Sequence, residues 1–92
     1  MTERPYELTI AGPAARVIQR VLPESVATAV IEFITGPLLE NPHRVGKKLR
    51  GELAGRYAAR RGAYRVAYRI DQASRRIVVL RVEHRADVYR PR

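Results

Sequence analysis

Apolar residues recur along the chain with two different periods, and the change of period divides it into elements. Tyr6-Glu7-Leu8-Thr9-Ile10 alternates apolar and polar and predicts a short strand with Tyr6, Leu8 and Ile10 inward. Ala11-Gly12-Pro13 breaks it. From Pro13, suited to a first helical position, Ala14, Val17, Ile18, Val21 and Leu22 recur at helical spacing while Arg16, Gln19 and Arg20 face outward. Pro23 ends that helix and opens a second, whose apolar stripe is Val26, Ala27, Val30, Ile31 and Ile34 and whose stop is Gly36-Pro37. Two helices joined this closely form a helical hairpin.

Beyond residue 56 the period becomes two. Tyr57 to Ile70 holds two short runs rich in Tyr, Val, Ile and Ala around Gly62-Ala63, and glycine at the first position of a two-residue loop suits a type II′ turn. That turn pairs Arg61 with Tyr64, Arg60 with Arg65, Ala59 with Val66, Ala58 with Ala67 and Tyr57 with Tyr68. Tyr57, Ala59, Arg61, Tyr64, Val66, Tyr68 and Ile70 then share an inward face. Arg56, Ala58, Arg60, Arg65, Ala67 and Arg69 share a basic one.

The remaining stretches are placed around this hairpin. Leu38 and Leu39 tuck under the sheet, and His43 to Arg50 reads as a basic loop anchored by Leu49 and Leu53. That loop is either a solvated linker or an extension of the arginine surface through Lys47, Lys48 and Arg50. Asp71-Gln72-Ala73-Ser74 is a turn, and Arg76 to Val82 is a strand apolar on both faces and therefore central. If Val78, Leu80 and Val82 point to the core, Arg81, Glu83 and Arg85 join Arg65 on the basic face; this register requires a connection of three or five residues. His84 to Arg92 leaves the sheet as a polar tail bearing Tyr89.

Ninety-two residues make one small domain, spanning residues 1–92. It buries roughly 60 to 68 % of the surface of its unfolded chain, enough for a modest core without staples. The chain has no cysteine and two histidines, which argues against a thiolate zinc site, a redox motif or any bound metal. No apolar run reaches membrane length, and Met1-Thr2-Glu3-Arg4-Pro5 does not open a signal peptide, so a cytoplasmic location is expected.

Charge changes the picture more than composition does. The net charge is +9, yet residues 1–42 carry three Arg against five Glu, and residues 43–92 carry fifteen Lys and Arg against four acidic residues. A basic half of this density fits a nucleic-acid backbone or an acidic protein partner. Arg60 opposite Arg65 costs folding roughly 0.2 to 1 kcal/mol, a cost that an anionic ligand removes and that arginines fanned into water reduce.

No nucleophilic triad, phosphate-cradling loop, dinucleotide fingerprint or metal motif is present. The surface offers arginines, tyrosines and one histidine. RNA cleavage by the neighbouring 2′-hydroxyl needs a proton acceptor, cations for the charge on phosphate oxygens and a donor for the leaving 5′-oxygen. Arg65 and Arg85 fit the cationic role, with Arg56, Arg60 and Arg81 nearby, whereas arginine is too weak an acid to serve as a base. His84 either moves protons or packs as a structural residue, since alternation puts it on the face opposite Arg85. Tyr89 either stacks on a base or covers the core edge.

The order of elements, with Pro-His-Arg-Val-Gly-Lys-Lys-Leu-Arg-Gly-Glu-Leu-Ala-Gly, then Arg-Arg-Gly-Ala-Tyr-Arg-Val-Ala-Tyr-Arg-Ile-Asp and a closing Val-Glu-His-Arg-Ala-Asp-Val-Tyr, resembles the RelE/ParE superfamily of bacterial type II toxins, on its RelE side, over essentially the whole chain. The resemblance implies an α+β domain in which two N-terminal helices pack on one face of a twisted antiparallel sheet. It implies a ribosome-dependent endoribonuclease that cuts mRNA in the A site without metal or other cofactor, held in a hetero-oligomer by a cognate antitoxin. It places the family's two site arginines at Arg65 and Arg85, for phosphate stabilisation, and its C-terminal tyrosine at Tyr89, for stacking or proton transfer. The first hairpin strand departs from the pattern: ribonuclease members place lysines where this chain has Arg56 and Ala58, with Arg60 close by. Two other readings therefore stand beside the first, a ParE-type inhibitor of DNA gyrase and a non-catalytic nucleic-acid-binding module.

Overall fold

A computed structural model describes residues 6–51 and 55–84. The elements in order are β1 (Glu7–Ile10), α1 (Gly12–Arg16) running into a π-helical turn (Val17–Val21), α2 (Glu24–Thr35), the short α3 (Pro37–Glu40) and α4 (Pro42–Val45), β2 (Lys47–Lys48), β3 (Arg56–Arg61), β4 (Tyr64–Asp71) and β5 (Arg76–His84). The strands form one sheet in the order β1-β5-β4-β3-β2. This is the expected α+β arrangement with its helices on one face. The sheet is mixed, however, because β1 runs parallel to β5 while the other neighbours are antiparallel. No tight turn joins β1 to its neighbour; the chain leaves β1 through the helices, so its direction is not set by a hairpin.

The β3–β4 hairpin has the register read from the sequence, from Arg61 opposite Tyr64 to Arg56 opposite Arg69. Its turn has a positive φ at Gly62 (54°) and not at Ala63, as a type II′ loop requires.

The β4–β5 connection differs from expectation. Asp71 pairs with Arg76, so four residues form the loop. The Asp71 carboxylate accepts the Ser74 N–H at 3.3 Å, and this bond holds the carboxyl below its ordinary range. With that loop Tyr68 faces Val79, yet Ala67 faces Arg81, and Leu80 is left over as a β-bulge. The bulge changes which side chains are buried: Ile77, Val79 and Val82 enter the core, where the uninterrupted alternation had placed Val78, Leu80 and Val82. It also restores the predicted phase beyond the bulge, so Arg81 and Glu83 do share the face of Arg65.

Ala14, Leu22, Val30, Phe33, Ile34 and Leu38 from the helices close over Ala59, Tyr64, Val66, Tyr68, Ile77, Val79 and Val82 from the sheet. Two residues of the predicted stripes stay out: Val21 is 56 % exposed and Ile31 39 %. The Leu22 N–H reaches the Val17 carbonyl, five residues back, at 3.0 Å, and this wider turn rotates Val21 away from the core. In α2 it is Phe33 that is buried along with Val30 and Ile34, with the Arg61 guanidinium 4.7 Å above its ring.

The stretch expected to be a basic loop is partly ordered. Pro42–Val45 forms a helical turn and Lys47–Lys48 an edge strand opposite Ala58 and Tyr57. Gly46 makes the approach possible, since a Cβ there would collide with the Tyr68 hydroxyl and crowd the Ala58 carbonyl. That hydroxyl donates to the Pro42 carbonyl at 2.6 Å. Burial, and then the neighbouring Tyr57 ring stacked 5.5 Å away, push the Tyr68 phenol up to about 12. Leu53, predicted as a second anchor, lies outside the described residues. Among the described residues no helix is long and apolar enough to cross a membrane.

Candidate nucleic-acid interface

The face of the sheet turned away from the helices carries the charge. Alternation along β3 and β4 sends Ala59, Val66 and Tyr68 inward and Arg56, Arg60, Arg65 and Arg69 outward. Two like-charge pairs result, Arg56 opposite Arg69 and Arg60 opposite Arg65. From β5 the bulge brings Arg81 beside Ala67 and Glu83 beside Arg65. From β2, Lys47 stands beside Ala58. The result is a belt of cationic groups across four strands, which suits the repeating negative charge of a nucleic-acid backbone.

A carboxylate interrupts the belt. Arg65 Nη2 donates to Glu83 Oε1 at 2.8 Å, and Arg81 Nη1 lies 3.9 Å from Glu83 Oε2. With 42 % of Arg65 and 31 % of Glu83 exposed, such a pair is worth roughly 0 to 1 kcal/mol. The two opposed arginine pairs cost a similar amount. Burying one core side chain such as Val66 contributes roughly 1.5 to 3 kcal/mol, so the belt adds little to the fold.

The predicted site residues divide into three groups. Arg65, Arg60, Arg56, Arg81 and Lys47 are brought together on the belt. Lys48, opposite Tyr57, and His84, opposite Tyr64, fall in the register of the helix side, while Arg50 is exposed just past the edge strand. His84 is half-buried and does not share a face with Arg65, which favours its structural reading. Arg85 and Tyr89 lie outside the described residues.

Sequence reasoning put Glu83 on this face without giving it a role. The signal was its place two residues after Arg81, but the contact with Arg65 depends on the bulge. A second feature it missed is the aromatic group at the β2 edge, where His43 meets Tyr57 edge-on at 5.9 Å and Tyr57 stacks on Tyr68. Among the described residues no three His, Asp or Glu side chains gather into a metal-binding set.

Residues 13–89 match the family model described as the ParE toxin of type II toxin-antitoxin system, parDE. The chain belongs to the RelE/ParE superfamily of type II toxins. Toxin RelE of Mycobacterium tuberculosis is 49 % identical over 88 residues, covering 96 % of this chain and 90 % of the relative. Toxin RelG of the same organism is 50 % identical over 86 residues, covering 94 % and 98 %. Among solved structures, the toxin-antitoxin complex RelBE2 of M. tuberculosis contains a chain that superposes with a TM-score of 0.84 at 48 % identity, over 89 % of this chain and all of that one. The archaeal RelE-RelB complex of Pyrococcus horikoshii gives 0.69 at 25 % identity, over 89 % and 97 %. The resemblance read from the sequence is thus borne out, and the toxin's arginine belt can be interpreted within that family.

Proposed function

We propose that this toxin is a ribosome-dependent endoribonuclease that cuts mRNA in the A site, with the RNA's own 2′-hydroxyl as nucleophile. The observation that carries the reading is the meeting of Arg60, Arg65 and Arg81 on three adjacent strands, a cationic surface that contributes almost nothing to folding. Planar guanidinium groups bind phosphate in a forked geometry and stabilise the charge that grows on its oxygens during cleavage. Arg65 at the centre of the belt is the phosphate-binding residue of this reading, Arg60 and Arg85 support it, and Tyr89 stacks on a base or moves a proton. Lys47, Lys48, Arg50, Arg56 and Arg81 hold the flanking backbone. The naming of the relatives as toxins RelE and RelG supports the RelE side of this reading.

The toxin works in the cytoplasm, where its substrate is, and is held silent by an antitoxin in a hetero-oligomer. The RelBE2 and RelE-RelB neighbours, both toxin-antitoxin complexes, support that partnership. Acidic side chains of the antitoxin laid over Arg60 and Arg65 would neutralise the belt and shield it from RNA.

The second reading, inhibition of DNA gyrase without catalysis, draws on Arg56 and Ala58 standing where ribonuclease members place lysines. Lys47 weakens that objection, because the neighbouring edge strand sets a lysine beside Ala58 on the same face. The test is to induce the toxin alone in a bacterial host and map mRNA 5′ ends within minutes. Cuts inside translated frames, lost with Arg65→Ala, are expected. Growth arrest with intact messages and inhibited supercoiling would establish the gyrase reading instead.

A further inference from the structure

A surface that only binds nucleic acid has no use for a carboxylate at its centre. Glu83 repels the phosphate that Arg65 attracts, and its ion pair adds little stability at this exposure. Cleavage by a 2′-hydroxyl does need such a group. Lysine and arginine side chains carry their protons at neutral pH and are poor acceptors, whereas a carboxylate is ionised and can take one.

Among the described residues, the other carboxylates of the sheet strands, Asp71 and Glu7, are engaged at its margins. Asp71 receives the Ser74 N–H at the β4–β5 turn, and Glu7 accepts from Arg76 Nη2 at 2.9 Å beside β1. His84 lies in the register of the opposite face. Glu83 is half-exposed and directly beside Arg65. Its two oxygens differ: Oε1 is held by Arg65 at 2.8 Å, and Oε2 stands 3.9 Å from Arg81, outside hydrogen-bond distance. One oxygen orients the carboxylate; the other keeps lone pairs for a substrate proton.

We infer that Glu83 is the general base of the cleavage, an inference that rests on the nuclease reading above. Arg65 holds a non-bridging oxygen of the scissile phosphate, which brings the adjacent 2′-hydroxyl to Glu83 Oε2. The carboxylate takes the 2′-proton while the 2′-oxygen forms its bond to phosphorus. The bond from phosphorus to the 5′-oxygen breaks, and that oxygen takes a proton from water. The products are a 2′,3′-cyclic phosphate and a 5′-hydroxyl end, and protonated Glu83 returns its proton to the hydroxide left by the water. Arg81 Nη1, 3.9 Å from Oε2, adds positive charge beside the phosphate oxygens on which charge grows.

The experiment compares purified wild type, Glu83→Gln and Glu83→Ala in single-turnover cleavage of mRNA on programmed ribosomes, with ribosome binding measured by co-sedimentation. Glu83→Gln retains an oxygen to accept from Arg65 and is expected to cleave at least about 100-fold more slowly, the usual contribution of a positioned base. It is also expected to bind ribosomes as tightly as wild type or more so, because a repulsive charge has gone. Added formate should restore part of the Glu83→Ala rate and leave its binding unchanged, an effect that a purely structural role would not show. Circular dichroism checks the fold of each variant, and Glu83→Asp, which keeps the carboxylate, should cleave faster than either. Wild-type cleavage with an equally active Glu83→Gln would overturn the inference and leave the nuclease reading standing. No cleavage by wild type on translating ribosomes would overturn both.

Discussion

Val66 and Arg65 are neighbours in sequence and sit on opposite faces of one strand. Val66, Tyr68, Ile77 and Val79 have no exposed surface and belong to the core shared by helices and sheet. On the other face Arg56 stands against Arg69 and Arg60 against Arg65, and the ion pair between Arg65 and Glu83 is half open to water. The buried face supplies the free energy of the fold, and the outer face places its charges where they slightly oppose folding. A surface kept at that cost is explained by what it binds.

Changes on the two faces should therefore have different signatures. The largest effect belongs to the buried face: Leu38→Ala, at a fully buried position under the sheet, should lower the unfolding free energy by roughly 2 to 5 kcal/mol in urea titration. Gly46→Ala comes next. Its Cβ would meet the Tyr68 hydroxyl and the Ala58 carbonyl, and moving β2 aside should cost roughly 1 to 3 kcal/mol.

Tyr68 carries a pH signature. Its phenol stays protonated in the folded protein up to about 12. The phenol of the unfolded chain ionises near about 10, so protons leave the unfolded state first as pH rises. Stability is full below about pH 10 and falls on the order of 2 kcal/mol on the way to about 12. Tyr68→Phe should flatten that alkaline loss, while losing roughly 1 kcal/mol at neutral pH with the bond to the Pro42 carbonyl. An unchanged alkaline limb would show that another group governs it.

The smallest effect has the opposite sign. Arg60→Gln removes a repulsion across the strands and should stabilise the protein by roughly 0.2 to 1 kcal/mol while weakening mRNA cleavage. Loss of stability on that substitution would mean that the belt supports the fold after all.

The parts legible in the sequence are those set by local chemistry. A glycine at the first turn position determined the register of six residue pairs between β3 and β4, and with it the opposition of Arg60 and Arg65. Helix existence followed from the apolar spacing after Pro13 and Pro23. What escaped depended on single-residue shifts of phase. The π-turn moved Val21 into solvent, and the bulge at Leu80 exchanged Val78 for Val79 in the core; neither leaves a mark in the pattern of apolar residues. The short β2 was hidden because lysine is depleted in strands, and Gly46 is what lets the backbone approach. In the site, the cationic belt was legible from alternation, and the pairing of Glu83 with Arg65 was not, since it exists only with the bulge in place.

The central claim is that the outer face serves the substrate and the inner face serves the fold, and Arg65→Ala tests it most directly. Unfolding by urea and mRNA cleavage on programmed ribosomes should be measured on the same preparation. The account predicts an unfolding free energy within about 1 kcal/mol of wild type, as for a half-exposed ion pair, together with loss of cleavage. Cleavage retained at the wild-type rate, or lost only in step with the fold, would contradict it.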